Sequence, residues 1–348
     1  MALNTKSRGG KGDPERTLKV CKALISDPEI IVQKAISWAL RELVPWDRSA
    51  VETFLDQHDE NVSALVKREV KKKLVTGKKN QPGGFAAIEP CQHVLRIREM
   101  KLARMPDGSP EIFHTIQGEG RSIGMPTIFI RSSLCNLHCQ WCDTAYTWNW
   151  EDTNFATESG KKYRREDQIV SLPIEEIANH VGDISDCPNF VFTGGEPLLQ
   201  QRDWTALMKY FRKENPEQTF HFEIETNGTL APNDGFLESI HQLNISPKLA
   251  NTGVAEKLRI KPDALFQLAT LEKSDFKFVI ESDADFAEMQ QLVSDFGIRH
   301  DRVFLMPKAN SIDELDANSN RVADFCKDHG FRFSDRLHIR LFGAKRGV

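Results

Sequence analysis

Cys135-Asn-Leu-His-Cys139-Gln-Trp-Cys142 sets three cysteines at CxxxCxxC spacing in one short loop. Three close thiolates are one ligand short of a closed tetrahedral zinc site, and soft sulfur also suits an iron–sulfur cluster. A [4Fe-4S] cluster held by only three protein thiolates keeps one iron open to a small molecule, to which it can pass an electron. Two other readings compete. His138 offers a fourth zinc ligand, although its place between two ligand cysteines makes joint coordination awkward. A disulfide framework would pair the cysteines, but the chain has seven, and Cys21, Cys91, Cys187 and Cys326 are scattered. That usage suits a reduced cytosolic protein.

Around this loop the pattern alternates strand and helix. Strand-like runs occur at 127–131, 189–193, 219–224, 243–245, 275–280 and 302–306, separated by helical patterns at 173–182, 202–214, 235–242, 284–296 and 312–328. Repeated βα units at this spacing predict a parallel sheet, and about six of them suit an incomplete barrel better than a closed eight-stranded one. Ligands then gather at the C-terminal strand ends. The distinctive motifs fall there: the cysteine loop after Arg131, Phe192-Thr-Gly-Gly-Glu-Pro197, Glu223-Ile-Glu-Thr-Asn-Gly-Thr229 and Asn244-Ile-Ser-Pro-Lys248. Paired glycines let a backbone approach a ligand closely, and a carboxylate beside them can accept hydrogen bonds from an ammonium group. Each motif alone also reads as an ordinary loop turn.

The first part of the chain has another character. Ile30, Ile31, Ile36, Ala39, Leu40 and Leu43 recur at helical spacing, and further helices are predicted over 15–25, 48–57 and 62–74. Four short amphipathic helices make two stacked hairpins, a small unit with little core. Gly77-Lys-Lys-Asn-Gln-Pro-Gly-Gly84 has the composition of a linker. The organisation expected is a helical segment over 1–80, a linker over 81–107 and an α/β domain over 108–348. Lys67, Arg68, Lys71, Lys72, Lys73, Lys78 and Lys79 form a basic patch that reads as a phosphate-contacting surface or, more simply, as a solvated helix face.

At 348 residues and net charge −4, no global basic field advertises nucleic-acid binding. No apolar run approaches a membrane span, and the polar opening lacks a secretory core, so a soluble cytoplasmic protein without a membrane partner is expected.

Two resemblances are carried by these residues. QKAISWALREL (33–43), FLDQH (54–58) and KREVKKKLVTGKKN (67–80) resemble the C-terminal helical repeats of DNA alkylation repair proteins. Two hairpins cannot build the superhelix that cradles damaged DNA, so repair activity does not transfer. From about 108 onward, CxxxCxxC and GGEP together resemble the radical S-adenosylmethionine (SAM) superfamily. Phe113-His-Thr-Ile-Gln-Gly-Glu-Gly120, Ile128-Phe-Ile-Arg131, Cys142-Asp-Thr144 and the ending Arg336–Val348 are similar, more narrowly, to the 7-carboxy-7-deazaguanine synthase family.

That resemblance implies a partial (β/α)6 radical SAM barrel preceded by a small all-α segment. It implies Cys135, Cys139 and Cys142 on a [4Fe-4S] cluster, SAM on the open iron, and Mg²⁺ on Thr144. It places SAM against Trp141, Asp143, Gly194, Gly195, Glu196, Thr226, Asn227, Gly228, Ser246 and Lys248. The substrate, 6-carboxy-5,6,7,8-tetrahydropterin, would lie against Ile116, Gln117, Gly118, Arg131 and Thr193 and leave as 7-carboxy-7-deazaguanine and ammonia. No side chain is expected to act as acid, base or nucleophile, because the cofactor generates the radical. A homodimer and an electron donor such as flavodoxin or ferredoxin are implied as partners. Trp148 and Trp150 are read as cover for the cluster, and 149–166 as a lid, a subunit contact or a disordered excursion. The alternatives are a glycyl-radical activating protein, which has no need of a pterin cradle, and a nucleic-acid-binding scaffold with a structural cluster.

Overall fold

The computed structural model describes residues 13–27, 29–59, 61–76 and 99–348, in two compact units. Residues 77–98, and with them the predicted linker composition, Lys78, Lys79 and Cys91, lie outside the described residues.

The first unit is four helices: α1 (Pro14–Leu24), α2 (Ile30–Leu43), α3 (Arg48–Gln57) and α4 (Ala64–Thr76). Asp13 and Asp47 cap α1 and α3 through their carboxylates, each supplying an acceptor to a first-turn N–H. Leu40, Leu43, Val51, Phe54, Val66 and Val70 are among the residues that close the core. Arg41 and Ser37 of α2 both reach Glu69 of α4. Within the basic run, Lys67 pairs with Asp59 at 3.0 Å.

The second unit is one ten-stranded sheet. Its strands are β1 (Glu99–Ala103), β2 (Ile112–Ile116), β3 (Pro126–Ser132), β4 (Ile169–Pro173), β5 (Asn189–Gly194), β6 (His221–Thr226), β7 (Gln242–Ile245), β8 (Ser274–Ile280), β9 (Val303–Pro307) and β10 (Arg332–Phe333). The order is β10-β9-β8-β7-β6-β5-β3-β1-β4, with β2 also on β3. From β3 through β10 the neighbours run parallel, whereas β1, β2 and β4 join antiparallel. This is the expected partial barrel, with its strand ends unpaired at β10 and β4.

One boundary needs correction. The linker expected over 81–107 is too long, because β1 is a sheet strand whose Met100 and Leu102 are fully buried. Only two alternating apolar positions mark it, too few to stand out beside its charged neighbours.

Alternation decides what lies inside the barrel. Phe190 and Phe192 of β5 face the helix layer, where Phe192 stacks on Trp204 at 4.4 Å and Phe190 meets Phe211 at 4.9 Å. Phe222 and Ile224 of β6, and Phe276, Phe278 and Ile280 of β8, join the same core. The residues between them, Glu223, Glu225, Asp275 and Lys277, therefore share the opposite face. Charges so placed must find partners, since an unpaired buried ion is strongly unfavourable.

Candidate active site

The cysteine loop leaves β3 at its C-terminal end and is fastened to the next strand end. Leu134 adopts a left-handed φ of 76°. Gly195 donates its N–H to Ser132 O at 3.1 Å, and Glu196 donates to Leu134 O at 2.9 Å. A Cβ on Gly194 would lie 2.0 Å from Ser132 O, and one on Gly195 would lie 2.1 Å from Leu134 O. Only glycine allows the two segments this approach.

Glu196 is 0% exposed and accepts from Leu198 N at 2.9 Å, Thr226 Oγ1 at 2.8 Å and Asn227 N at 2.8 Å. Burial pushes its carboxyl above the usual range against these donors. Its carboxylate thus ties the end of β5 to the end of β6. Asn227 continues the tie: its Nδ2 donates to Asn136 Oδ1 in the cysteine loop at 2.9 Å. Gly228 (φ 75°) faces the core, where a Cβ would strike Ile245. Lys248 donates to Ser246 Oγ at 3.0 Å, and Ser246 N to Thr226 O at 2.7 Å.

The three sulfurs are free thiols, as are Cys21, Cys187 and Cys326. Burial raises the Cys135 and Cys142 thiols, and it pushes Cys139 up to about 12 despite the nearby Lys248 ammonium. Among the described residues no three His, Cys, Asp or Glu side chains converge as ligands of a single metal ion. His138 is engaged elsewhere, stacked on Phe155 with ring centroids 3.5 Å apart. A cluster, in which each thiolate takes a different iron, asks for more widely spaced sulfurs than a mononuclear zinc site.

Trp141 donates from Nε1 to Asn251 O at 3.0 Å. Thr144 Oγ1 lies 3.5 Å from Cys142 Sγ. The insertion 149–166 is ordered. Lys162 Nζ donates to Asn149 Oδ1 (2.7 Å), Thr153 O (2.8 Å) and Phe155 O (2.7 Å), and Trp150 bridges to Tyr163.

Inside the barrel lies a second assembly that the motifs indicated only in part. Gln117, directly after Ile116 at the end of β2, is buried and leaves its Nε2 without a protein acceptor. A Cβ on Gly118 would meet His338 Nδ1 at 2.4 Å, and Leu337 N donates to Gly118 O at 2.9 Å. Glu119 accepts from Lys277 Nζ at 2.5 Å and from Arg336 Nε at 3.1 Å. Burial alone would raise Glu119, but Lys277 and Arg336 hold its carboxyl well below the usual carboxylate range. Lys277 also donates to Glu225 at 2.9 Å, a longer contact without a second cation, and burial there wins and raises Glu225. Lys277 itself is held above its ordinary value by both carboxylates, against the effect of burial. Arg131 donates from Nε to Glu111 Oε1 at 2.8 Å, and Glu111 also takes Tyr146 Oη at 3.0 Å and Arg346 Nε at 2.7 Å. Thr193, opposite Arg131 in the β3–β5 register, accepts from Ser132 Oγ through its carbonyl.

Glu119, Glu225, Lys277, Arg336 and His338 were not among the expected contacts. Lys277 did carry a signal, a lysine at an inward position between two core phenylalanines. Arg336 and His338 lay in the quoted C-terminal stretch without a role.

Known proteins resemble the chain in the same regions. Residues 129–255 match the family model of the radical SAM superfamily, and residues 2–74 match that of DNA alkylation repair enzymes. A 7-carboxy-7-deazaguanine synthase from Pyrobaculum aerophilum is 35% identical over 238 residues, covering 68% of this chain and 95% of its own length. The chain belongs to the 7-carboxy-7-deazaguanine synthase family. The Halobacterium salinarum synthase is 34% identical, over 67% of this chain and 89% of its own. Among solved structures, QueE from Escherichia coli aligns with 72% of this chain and all of its own at a TM-score of 0.50 and 22% identity, a likeness of fold.

As a member of the 7-carboxy-7-deazaguanine synthase family, the chain is a radical SAM enzyme of deazapurine synthesis. That class implies a [4Fe-4S] cluster, SAM and Mg²⁺ as cofactors. The residues present fit them: three thiols on one loop, Cys139 buried and Cys135 and Cys142 half-buried, a glycine pair admitting backbone contact beside it, and a threonine hydroxyl at its edge. Among the described residues no helix is long and apolar enough to cross a membrane.

Proposed function

We propose that the chain converts 6-carboxy-5,6,7,8-tetrahydropterin to 7-carboxy-7-deazaguanine with release of ammonia. The observation that carries this reading is Arg336, which donates both to Glu119, beside the orphaned Gln117 amide, and to Asp143, beside Cys142. A substrate-reading stretch and the cysteine loop are thereby held by one guanidinium.

In this reading Cys135, Cys139 and Cys142 would hold the cluster, and SAM, when bound, would supply the radical chemistry for hydrogen abstraction. The backbone at Gly194, Gly195 and Glu196 borders the methionyl part of SAM. Thr226, Asn227 and Gly228 shape the adjoining turn through the Glu196 tie, and Ser246 and Lys248 offer a hydroxyl and an ammonium to its carboxylate or ribose. Trp141 and Asp143 line the same pocket.

Gln117 Nε2 offers a buried donor to the hydrogen-bonding edge of the pterin, and Glu119, kept ionised, offers an acceptor for its amino group. Ile116 and Gly118 frame that edge, with Thr193 opposite. Arg131 presents a guanidinium already neutralised on one side by Glu111, so its remaining N–H groups can take a substrate carboxylate. Thr144 would supply a hard oxygen ligand for Mg²⁺, which would help orient the substrate carboxylate. The enzyme is further proposed to act in the cytoplasm as a homodimer reduced by a flavodoxin or ferredoxin. Residues 1–80 are proposed to form an accessory helical unit with no part in the chemistry.

The test is anaerobic reconstitution with iron and sulfide, then a reductant, SAM, Mg²⁺ and carboxytetrahydropterin, with mass detection of 7-carboxy-7-deazaguanine. SAM cleavage without that product would overturn the substrate; neither cleavage nor cluster absorbance would overturn both.

A further inference from the structure

Trp148 lies in the turn after the short helix Ala145–Thr147, six positions beyond the last cysteine. It is 3% exposed, and its indole Nε1–H donates to Cys142 Sγ at 3.4 Å. The cysteines are unequally provided with donors. Cys142 has this indole and the Thr144 hydroxyl at 3.5 Å, whereas Cys135 takes a backbone N–H from Leu137 at 3.5 Å.

The indole is held in place from two sides. On its backbone, Trp148 N donates to Ala145 O at 3.1 Å, and Leu134 N donates to the preceding Thr147 O at 3.0 Å, which pins this turn to the start of the cysteine loop. On its ring, His138 meets it edge-on at 5.0 Å, and Phe155 of the insertion meets it at 6.1 Å while stacking on His138. A residue that served only as cover would need the ring and its burial. It would have no need of an N–H directed at a ligand sulfur.

We propose that Trp148 is a positioning residue for electron entry: its indole N–H raises the reduction potential of the cluster through the Cys142 thiolate. A hydrogen bond to a ligand thiolate draws electron density from it and favours the more negative, reduced cluster, an effect strengthened in a buried, low-dielectric site. The step concerned is the one-electron reduction of the 2+ cluster to 1+ by a low-potential donor, before SAM is cleaved. The inference rests on the reading that Cys135, Cys139 and Cys142 hold the cluster.

The experiment uses the full chain, reconstituted anaerobically, as wild type, as Trp148→Phe, and with Trp148 replaced by 3-benzothienylalanine, which keeps the bicyclic shape but has sulfur in place of N–H. Iron and sulfide content report on the cluster, and a redox titration followed by the electron paramagnetic resonance of the reduced state reports on the potential. Both replacements should load with cluster yet shift to more negative potential, lowering the reduced-to-oxidised ratio about threefold or more at the wild-type midpoint. An unchanged midpoint in a loaded variant overturns the inference, as does loss of the cluster from both variants while the protein stays folded, since Trp148 is then a structural cover. A wild-type chain that takes up no cluster overturns the underlying reading instead.

Discussion

Arg336 and Asp143, 193 positions apart, meet through Nη2 and Oδ2 at 2.9 Å. The same guanidinium holds Glu119 and the Ala309 carbonyl, so one buried side chain fastens the C-terminal segment to the cysteine loop, the β2 end and the β9 end. Arg336→Met leaves these acceptors without their donor and should destabilise the protein by about 3 kcal/mol. Arg336→Lys restores a charge without the fork, and should fold better than the Met variant but turn over at least about tenfold more slowly. Urea unfolding and product formation separate the two effects.

Lys277 stands between Glu119 and Glu225 with its charge buried. Lys277→Met would leave two carboxylates facing each other and should cost about 3–5 kcal/mol near neutral pH. The pH dependence has a definite sign. Glu119 is ionised more readily folded than unfolded, so its contribution is present above the usual value of 4.5 and is lost as pH falls through the lower folded value. Lys277 is raised, so its contribution is complete below the usual 10.5 and is lost only above it. In the variant the two facing carboxylates take up protons more readily than in the unfolded chain, so the stability gap between wild type and Lys277→Met should shrink as pH falls into acid; a gap that widens in acid would contradict the assignment.

Glu196→Gln replaces an acceptor oxygen with a donor amide amid three N–H and O–H donors. The expected loss is about 2–4 kcal/mol, with weaker SAM binding by calorimetry. If binding falls while stability is unchanged, Glu196 contacts SAM directly and the tie between β5 and β6 is secondary.

Gly195→Ala sets a methyl against the Leu134 carbonyl. Backbone must move, and the cysteine loop is what moves. Iron and sulfide per chain should fall well below wild type, with little change in far-ultraviolet circular dichroism.

A chain starting at Leu95 keeps every strand of the sheet and every site residue. It should fold, load cluster and form product at a rate within about twofold of the full chain, because its core contains no residue from the helical unit. Loss of turnover would give the first unit a part in catalysis.

Much of this architecture was legible in the sequence because the parallel strands are apolar and their motifs begin where they end. The six strand-like runs correspond to β3, β5, β6, β7, β8 and β9. β2 was not recognised as a strand, since Phe113–Gly120 reads first as a motif, and its His114 and Thr115 break the apolar run. The helix Pro262–Ala269, only eight residues long, was missed, and the helix expected over 235–242 is one turn, Asp234–Leu237. The site divides in the same way. Cysteines and glycines announce themselves by local spacing, whereas the Glu119–Lys277–Glu225 assembly joins residues 52 and 158 positions apart. No local pattern encodes such a contact. Glu196, Thr226 and Asn227 were all visible as separate candidates, but the hydrogen bonds that join them were not, and these turn a candidate ligand group into a brace.

Gly194 and Gly195 press so closely on Ser132 and Leu134 that the cysteine loop and the GGEP turn are one mechanical part made from two distant stretches of chain. For protein engineering this sets the unit of transplantation. Moving Cys135–Cys142 alone into another barrel would carry the ligands without the mould that shapes them, whereas moving the loop together with the glycine pair and Glu196 would carry both.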